Sequence, residues 1–267
     1  MSASSTNSPS MSSALLAQLS QLSPETQRAL AKELNQRITE TERGRKLYAL
    51  YPDDGPLSRD KYTKHVEFFA AGSKHNERAF IGGNRTGKSF CVGYEGTLHL
   101  IGWYPPWWQG RRFDRPITAW AAGEDSKAVR ESLEPTLFGG SESRGTGLIP
   151  RDMLQRIAPR GGVPDAIDFA EIRHPKGTSR IVVKSYDQGR ESFQASQVDV
   201  VILDEEPPLQ IYTEALTRTL STIPGQPNGL VMCAFTPLKG ISETVLQFLP
   251  GGAYPTTEEL RRAAWGW

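Results

Sequence analysis

Short apolar runs alternate with amphipathic segments along most of this chain. Runs bounded by turn residues predict β-strands at about 78–82, 117–122, 180–186, 198–204 and 230–236. Helical or mixed segments separate most of them, which is the pattern of a parallel sheet with crossover helices. The stretch 166–186, interrupted at 174–177, predicts an inserted β-hairpin. The pattern therefore favours an α/β fold whose parallel-sheet core is flanked by helices.

A polar tail and two helices are predicted ahead of this sheet. Residues 1–13 are low in complexity and too polar to bury much surface, so we expect a disordered tail. Residues 14–50 are interpreted as an α-helical extension, because leucines recur at helical spacing and Ser23 and Pro24 can begin a second helix. We expect it to pack on the main domain or on a partner. The main domain is expected over 51–250, followed by a tail or linker at 251–267.

Composition and charge exclude several classes of protein. Lys and Arg number 31 against 30 Asp and Glu, so any contact with nucleic-acid phosphates must come from local patches. The sequence contains no stretch of 18 apolar residues and no secretory leader pattern. Cys91 and Cys233 lie far apart in apolar surroundings, which predicts reduced core thiols. We therefore expect a soluble, unprocessed protein without membrane contact.

The segment Gly82–Ser89, at the end of the first predicted strand, has the pattern G-x-x-x-x-G-K-[ST]. This pattern is typical of the P-loop, whose backbone N–H groups surround a triphosphate while the lysine reaches the phosphates and the serine ligates Mg²⁺. A helix predicted from Ser89 to His99 also favours an anion at its N-terminus. The alternative is a plain glycine turn. The predicted nucleotide contacts are Gly82, Gly83, Asn84, Arg85, Thr86, Gly87, Lys88 and Ser89.

A second motif ends the strand predicted at 198–204. The apolar run there ends in Asp204 and Glu205, which is typical of a Walker B strand that delivers carboxylates to the sheet edge where ligands collect. We predict that Asp204 holds Mg²⁺, together with Ser89. We predict that Glu205 orients and deprotonates the water that attacks the γ-phosphate. Solvated acids at a strand end are the alternative, and the P-loop upstream favours hydrolysis of ATP.

Three other side chains are candidates for the same site. Thr236 ends the strand predicted at 230–236, where a hydroxyl would sense the γ-phosphate. Arg190 lies in a polar loop before the Walker B strand, and it is interpreted either as an arginine finger or as a solvated surface residue. Arg85 is a candidate for contact with the phosphates or for positioning Glu205. Each of these signals is weak on its own.

Two aromatic segments each have two interpretations. A helix predicted at 61–69 carries His65 where P-loop motors that act on nucleic acid often have an adenine-binding glutamine. His65 is therefore either a base contact or a packed surface residue. The segment Trp103–Phe113 mixes aromatic residues with Arg111 and Arg112. Such a segment either stacks on nucleic acid or packs on its own domain.

Four runs resemble the large terminase subunits of tailed double-stranded-DNA bacteriophages: 79–89, 203–208 (LDEEPP), 211–219 and 235–240 (FTPLKG). The resemblance implies a P-loop NTPase fold of the ASCE (RecA-like) type that uses ATP and Mg²⁺, with Thr236 in coupling and Arg190 acting in trans. It implies a motor that pumps double-stranded DNA into a procapsid. The expected partners are DNA, the portal protein, the small terminase subunit and further copies in a pentameric ring, with a monomer in isolation. The expected location is the host cytoplasm, with transient docking on the procapsid.

Such subunits normally continue into a metal-dependent nuclease domain, whereas a short tail follows Phe248. We therefore expect no DNA cleavage by this chain. Two alternatives to a packaging motor stay open. One is a helicase-like ATPase that remodels nucleic acid, although no second RecA-like domain is evident in the sequence. The other is a nucleotide-gated docking module with little hydrolysis.

Overall fold

A mixed sheet organises the larger part of the molecule. The computed structural model describes residues 23–33, 46–194, 196–224, 226–238 and 240–249. The strands in these ranges are Glu77–Ile81 (β1), Thr118–Gly123 (β2), Leu154–Pro159 (β3), Ile167–His174 (β4), Gly177–Ser185 (β5), Val200–Asp204 (β6) and Leu230–Phe235 (β7). Their order is β1-β7-β6-β2-β5-β4-β3. Pairing is parallel from β1 across to β5 and antiparallel in the β5-β4 and β4-β3 pairs.

The central strands are continuous apolar runs because helices cover both faces of the sheet. Every residue of β6 and β7 is buried. In the register, Asp204 lies beside Ala234, and Phe235 lies beside Ile81. The carboxyl ends of β1, β7 and β6 therefore meet at one edge of the sheet.

All five predicted strands overlap observed ones, and the α/β fold is confirmed. The predicted hairpin is also confirmed as β4 and β5. It is not a separate insertion, because β5 pairs in parallel with β2 and so extends the main sheet. Strand β3 was not predicted. It lies at the edge of the sheet, and most of its residues are exposed or half-buried, so its sequence lacks a clear apolar pattern.

The described helices of the larger unit are Thr63–Ala71 (α1), Lys88–Ile101 (α2), Leu209–Thr219 (α4) and Glu243–Gln247 (α5). Between α2 and α4, three consecutive helical segments form α3: Ser126–Ala128, Val129–Leu133 and Glu134–Phe138. Helix α2 confirms the helix predicted after the P-loop. A Cβ atom at Gly96 would lie 2.4 Å from Cδ1 of Ile202, so glycine allows α2 to pack directly on β6.

A buried ion pair joins β1 to α2 on either side of the P-loop. Arg78 Nη2 donates to Glu95 Oε1 at 2.7 Å, and Arg78 Nη1 donates to Glu95 Oε2 at 3.0 Å. Burial opposes the charge of Glu95, but Arg78 and the hydrogen bond with His99 outweigh it and hold the pKa of Glu95 below its usual value. Losing one partner of such a pair is strongly destabilising. The pair therefore fixes the P-loop helix against the P-loop strand.

Contacts divide the chain into two units, residues 1–43 and residues 44–267. In the first unit, residues 24–33 are helical, and Ser23 Oγ accepts a hydrogen bond from the Thr26 N–H at 3.2 Å. This confirms the predicted helix start. In the second unit, Leu47, Leu50 and Tyr51 are buried in the main core, so this unit begins before the boundary expected at 51. The predicted tails at 1–13 and 251–267 and the first predicted helix lie outside the described residues.

The aromatic segment 103–113 packs on its own domain. Trp108 is buried, and Trp103 and Trp107 pack against the core. Arg111 lies over Phe113, and Arg112 lies over Tyr104, with ring-centroid distances of 5.6 and 5.2 Å. The packing alternative is therefore confirmed for the tryptophans.

Both cysteines are buried free thiols, as predicted. Among the described residues, no helix is long and apolar enough to cross a membrane.

Candidate active site

The P-loop connects the end of β1 to the start of α2. Gly82 N–H donates to the Phe235 carbonyl at 3.3 Å, and Thr86 Oγ1 donates to the Gly83 carbonyl at 3.0 Å. Arg85 and Gly87 both have left-handed backbone, with φ of 65° and 79°. Such a conformation is unusual for a residue other than glycine and is found preferentially at functional sites. The loop therefore has the curled form of an anion-binding cradle.

Lys88 and Thr236 are brought together at the edge of the sheet. The lysine is only 8 % exposed, and its Nζ donates to the Gly83 carbonyl at 2.7 Å and to Thr236 Oγ1 at 2.9 Å. Thr236 Oγ1 also lies 2.8 Å from the Gly82 carbonyl and 3.0 Å from Asn84 Oδ1. The hydroxyl at the end of β7 thus contacts both the P-loop backbone and its lysine.

Asp204, at the end of β6, is 4 % exposed. Its Oδ1 is buried and has no hydrogen-bond partner among the described residues. Burial raises the pKa of Asp204 to about 6; a hydrogen bond with Ser89 and the charge of Lys88 oppose this shift, and the charge of Glu205 adds to it. The predicted pair of metal ligands, Ser89 and Asp204, is therefore within hydrogen-bonding contact.

Glu205 follows Asp204 in a left-handed backbone conformation, with φ of 63°. Its N–H donates to the Ala234 carbonyl at 2.9 Å. The Tyr186 hydroxyl lies 3.0 Å from the Asp204 carbonyl and 3.1 Å from the Glu205 carbonyl. These contacts hold the turn in its strained form. Nothing in the sequence pattern marked Tyr186 as a residue of this site.

Glu205 lines a small cavity of about 190 Å³, together with Asp204, Gly123 and Glu124. Burial raises the pKa of Glu205, and the charge of Glu124 adds to this effect while the charge of Lys88 opposes it. A carboxylate with a raised pKa is a better proton acceptor near neutral pH. The cavity has room for water beside it.

The two candidate arginines occupy different surroundings. The Arg85 side chain is exposed and has no hydrogen-bond or ion-pair partner among the described residues. Arg190 is 54 % exposed, and its Nε donates to Glu214 Oε2 on α4 at 2.8 Å. Glu214 also accepts hydrogen bonds from Arg218. In this chain Arg190 is paired with α4 and not with the P-loop.

His65 supports the P-loop from α1. A carbonyl can only accept, so His65 Nε2 donates to the Thr86 carbonyl at 3.2 Å, and Nδ1 accepts from the Tyr51 hydroxyl at 2.7 Å. Burial lowers the pKa of His65, which favours this neutral form. An apolar cavity of about 190 Å³ lies between His65, Gly87 and the side chains of Leu50, Leu57, Tyr62 and Phe90.

Known proteins share this arrangement of motifs. The family model "Terminase large subunit, T4likevirus-type, N-terminal" matches residues 79–261. The terminase large subunit of Salmonella phage P22 is 34 % identical over 238 residues, covering 81 % of this chain and 46 % of that protein. The chain thus spans about half the length of this curated relative.

Two solved structures have lower similarity. The large terminase of a thermophilic bacteriophage is 14 % identical, with a TM-score of 0.44, over 66 % of this chain and 38 % of that one. The large terminase ATPase domain of Thermus phage P74-26 is 19 % identical, with a TM-score of 0.39, over 73 % of this chain and 76 % of that one. The family assignment depends on the sequence match. Because the family model covers most of the chain, including the P-loop and the Walker B strand, the chain belongs to the terminase large subunit family and contains its N-terminal domain.

Proposed function

We propose that this chain is the ATP-hydrolysing motor domain of a viral terminase that translocates double-stranded DNA into a procapsid. The main support is that Lys88, Asp204 and Thr236, which are distant in sequence, meet at one edge of the sheet beside the P-loop. Membership of the terminase family favours this function over a helicase-like ATPase.

In this proposal the P-loop binds the triphosphate of ATP. Backbone N–H groups of residues 82–89 and the N-terminus of α2 surround the phosphates. Lys88 exchanges its contacts with Gly83 and Thr236 for contacts with phosphate oxygens. Its ammonium group is then a point charge close to the transferred phosphoryl group. This exchange would also release the Thr236 hydroxyl, which makes Thr236 suited to report the state of the γ-phosphate to β7.

The residues beside the P-loop fit Mg²⁺. The unpartnered, buried Oδ1 of Asp204 and the nearby Ser89 hydroxyl are oxygen donors, the type that Mg²⁺ prefers. Asp204 and Ser89 would hold the ion, which when bound neutralises charge on the phosphate oxygens. An unpaired buried carboxylate is costly in free energy without such a partner.

Glu205 is proposed as the general base. It accepts a proton from a water molecule in the cavity that it lines with Asp204, and the water oxygen attacks the γ-phosphorus. The bond from phosphorus to the bridging oxygen then breaks, which gives ADP and inorganic phosphate. Tyr186 is proposed as a positioning residue, because its hydroxyl holds the backbone carbonyls of Asp204 and Glu205.

The apolar cavity beside Gly87 supports a base site with low selectivity. Its wall is almost entirely apolar. Both ring nitrogens of His65 are already hydrogen-bonded, so the imidazole offers neither a donor nor an acceptor to the edge of a base. A purine there would be held by ring contacts, which every purine can make.

We therefore expect ATP and GTP to be hydrolysed with kcat/KM values within about tenfold of each other, because strong discrimination requires hydrogen bonds to the base. The measurement is phosphate release with each nucleotide at equal Mg²⁺. As a control, Tyr62→Ala should raise KM for both purine nucleotides to a similar extent. A preference for ATP above about a hundredfold would contradict the assignment.

Arg190 is proposed to act on the nucleotide of a neighbouring copy in a ring. Its side chain is half exposed and held in place by Glu214, which supports an outward role. The specific ATPase activity of the wild type should then increase with protein concentration, and Arg190→Ala should lose about 10³-fold in kcat. Arg218→Ala is the matched control, because Arg218 pairs with the same carboxylate. Activity that does not depend on concentration and survives Arg190→Ala would exclude this role.

The assembled form is proposed to be a pentameric ring that contacts double-stranded DNA, the portal protein and the small terminase subunit. It would act in the host cytoplasm while docked on the procapsid. The experiment that tests the enzymatic part is steady-state phosphate release from ATP with Mg²⁺ and after chelation by EDTA. We expect turnover only with Mg²⁺. Tight nucleotide binding without turnover at any protein concentration would favour a docking module instead.

A further inference from the structure

A cleft of about 720 Å³ lies at the opposite edge of the sheet from the candidate active site. It is formed where β2, β6 and β7 begin and where α4 ends. Its lining includes Arg111, Arg112, Arg115, Asp199, Thr222 and Gln226. At about 3.3 Å per residue, the length of β6 separates this cleft from Asp204 by roughly 15 Å. Its arginines are therefore too distant to bind the nucleotide held by the same chain.

The acids in this cleft are already paired. Asp199 accepts hydrogen bonds from Arg115 Nη2 at 2.5 Å, from Arg115 Nη1 at 3.1 Å and from the Thr118 N–H at 2.9 Å. Asp114 forms an ion pair with Lys176 at 2.7 Å. Among the described residues, no carboxylate pairs with Arg111 or Arg112. The cleft therefore has a surplus of positive charge.

Arg111 and Arg112 are held in place. Arg111 Nη2 donates to the Asn228 carbonyl at 3.2 Å, and Arg112 Nη2 donates to the Trp108 carbonyl at 3.2 Å. Each guanidinium also lies over an aromatic ring of the same segment. Burial lowers the pKa of Arg111, as expected for a partly desolvated cation without a carboxylate partner. An anion would compensate this charge, and little side-chain entropy would be lost because both side chains are ordered.

We propose that this cleft binds the sugar–phosphate backbone of double-stranded DNA through Arg111 and Arg112. The proposal rests on the proposed function, since it assigns the DNA contact of the same motor. Guanidinium groups bind phosphate oxygens through paired hydrogen bonds, and hydroxyl and amide side chains commonly add further phosphate contacts. Ser221, Thr222, Gln197 and Gln226 supply such groups around the cleft.

The cleft is also attached to the P-loop helix. His99, near the end of α2, has its Nδ1 3.0 Å from the Tyr104 hydroxyl, and that hydroxyl accepts from the Phe113 N–H at 2.8 Å. These contacts link α2 to the segment that carries both arginines. Contact with DNA at the cleft is therefore connected to the helix whose other end carries Lys88.

The test is the affinity for a short duplex of random sequence, measured by fluorescence anisotropy over a range of salt concentrations. The double variant Arg111→Gln with Arg112→Gln should bind about tenfold or more weakly near 0.1 M salt, and the slope of log affinity against log salt should fall by about 2. Phosphate release without DNA should be unchanged. Arg151→Gln with Arg173→Gln is the control, because it removes the same charge from exposed positions outside the cleft.

A second variant covers the case in which the double variant is poorly folded. Thr222 is exposed, so Thr222→Glu should fold normally and place a negative charge in the cleft. It should also weaken DNA binding. The inference is overturned if the cleft variants bind DNA as the wild type does, or if the control pair loses as much affinity. A wild type that does not bind duplex DNA would refute the proposed motor function itself, so the two failures are distinguishable.

Discussion

Glu205→Gln is expected to reduce ATP hydrolysis by about 10² to 10⁴-fold while nucleotide affinity stays near the wild-type value. Glutamine keeps the shape of the side chain but cannot accept a proton from water. Within the described part of the chain, the Glu205 carboxyl makes no hydrogen bond to the P-loop, so the phosphate cradle should remain intact. The measurement is single-turnover phosphate release together with binding of Mg-ATP by calorimetry.

The control for this variant is Glu142→Gln, the same chemical change at an exposed position away from the site. It should hydrolyse ATP at the wild-type rate. Turnover in Glu205→Gln within about threefold of the wild type would show that another group accepts the proton, since general-base catalysis contributes far more than this.

Lys88→Ala is expected to weaken nucleotide binding by at least about 30-fold, which corresponds to roughly 2 kcal/mol or more for removal of a buried charged partner. The change removes the ammonium group that would contact the phosphates. It also removes a charge that holds down the pKa values of Asp204 and Glu205. Hydrolysis should therefore fall as well, even at saturating ATP.

The matched control is Lys127→Ala, because Lys127 lies on α3 and its side chain is 74 % exposed. This variant should bind nucleotide as the wild type does. Unchanged affinity in Lys88→Ala would mean that the loop at 82–89 does not bind the triphosphate. A calorimetric titration with Mg-ADP would show whether any loss comes from the γ-phosphate alone.

The sheet and the main site residues were predictable because their signals are local. The strands β6 and β7 are continuous apolar runs, and parallel strands deliver their carboxyl ends to one edge. That rule alone placed Asp204 and Thr236 near the P-loop. The glycine pattern marked Lys88 and Ser89 in the same way. The structure brings all four together as the sequence predicted.

Other features depend on tertiary contacts and had no local signal. Strand β3 is an exposed edge strand, and Tyr186 reaches the Walker B turn from the segment that follows β5. The two hydrogen bonds of His65 need Tyr51 and the Thr86 carbonyl, which come from other segments. The cleft that contains Arg111 is assembled from the starts of three strands. Sequence patterns indicated the composition of that segment but not the charge balance around it.

The central claim is that this chain hydrolyses ATP in a way that depends on double-stranded DNA and on neighbouring copies. The most direct test is phosphate release measured with and without duplex DNA over a wide range of protein concentrations. We predict that DNA stimulates hydrolysis and that specific activity increases with concentration as copies assemble. Hydrolysis that is unaffected by DNA and constant at every concentration would contradict the account.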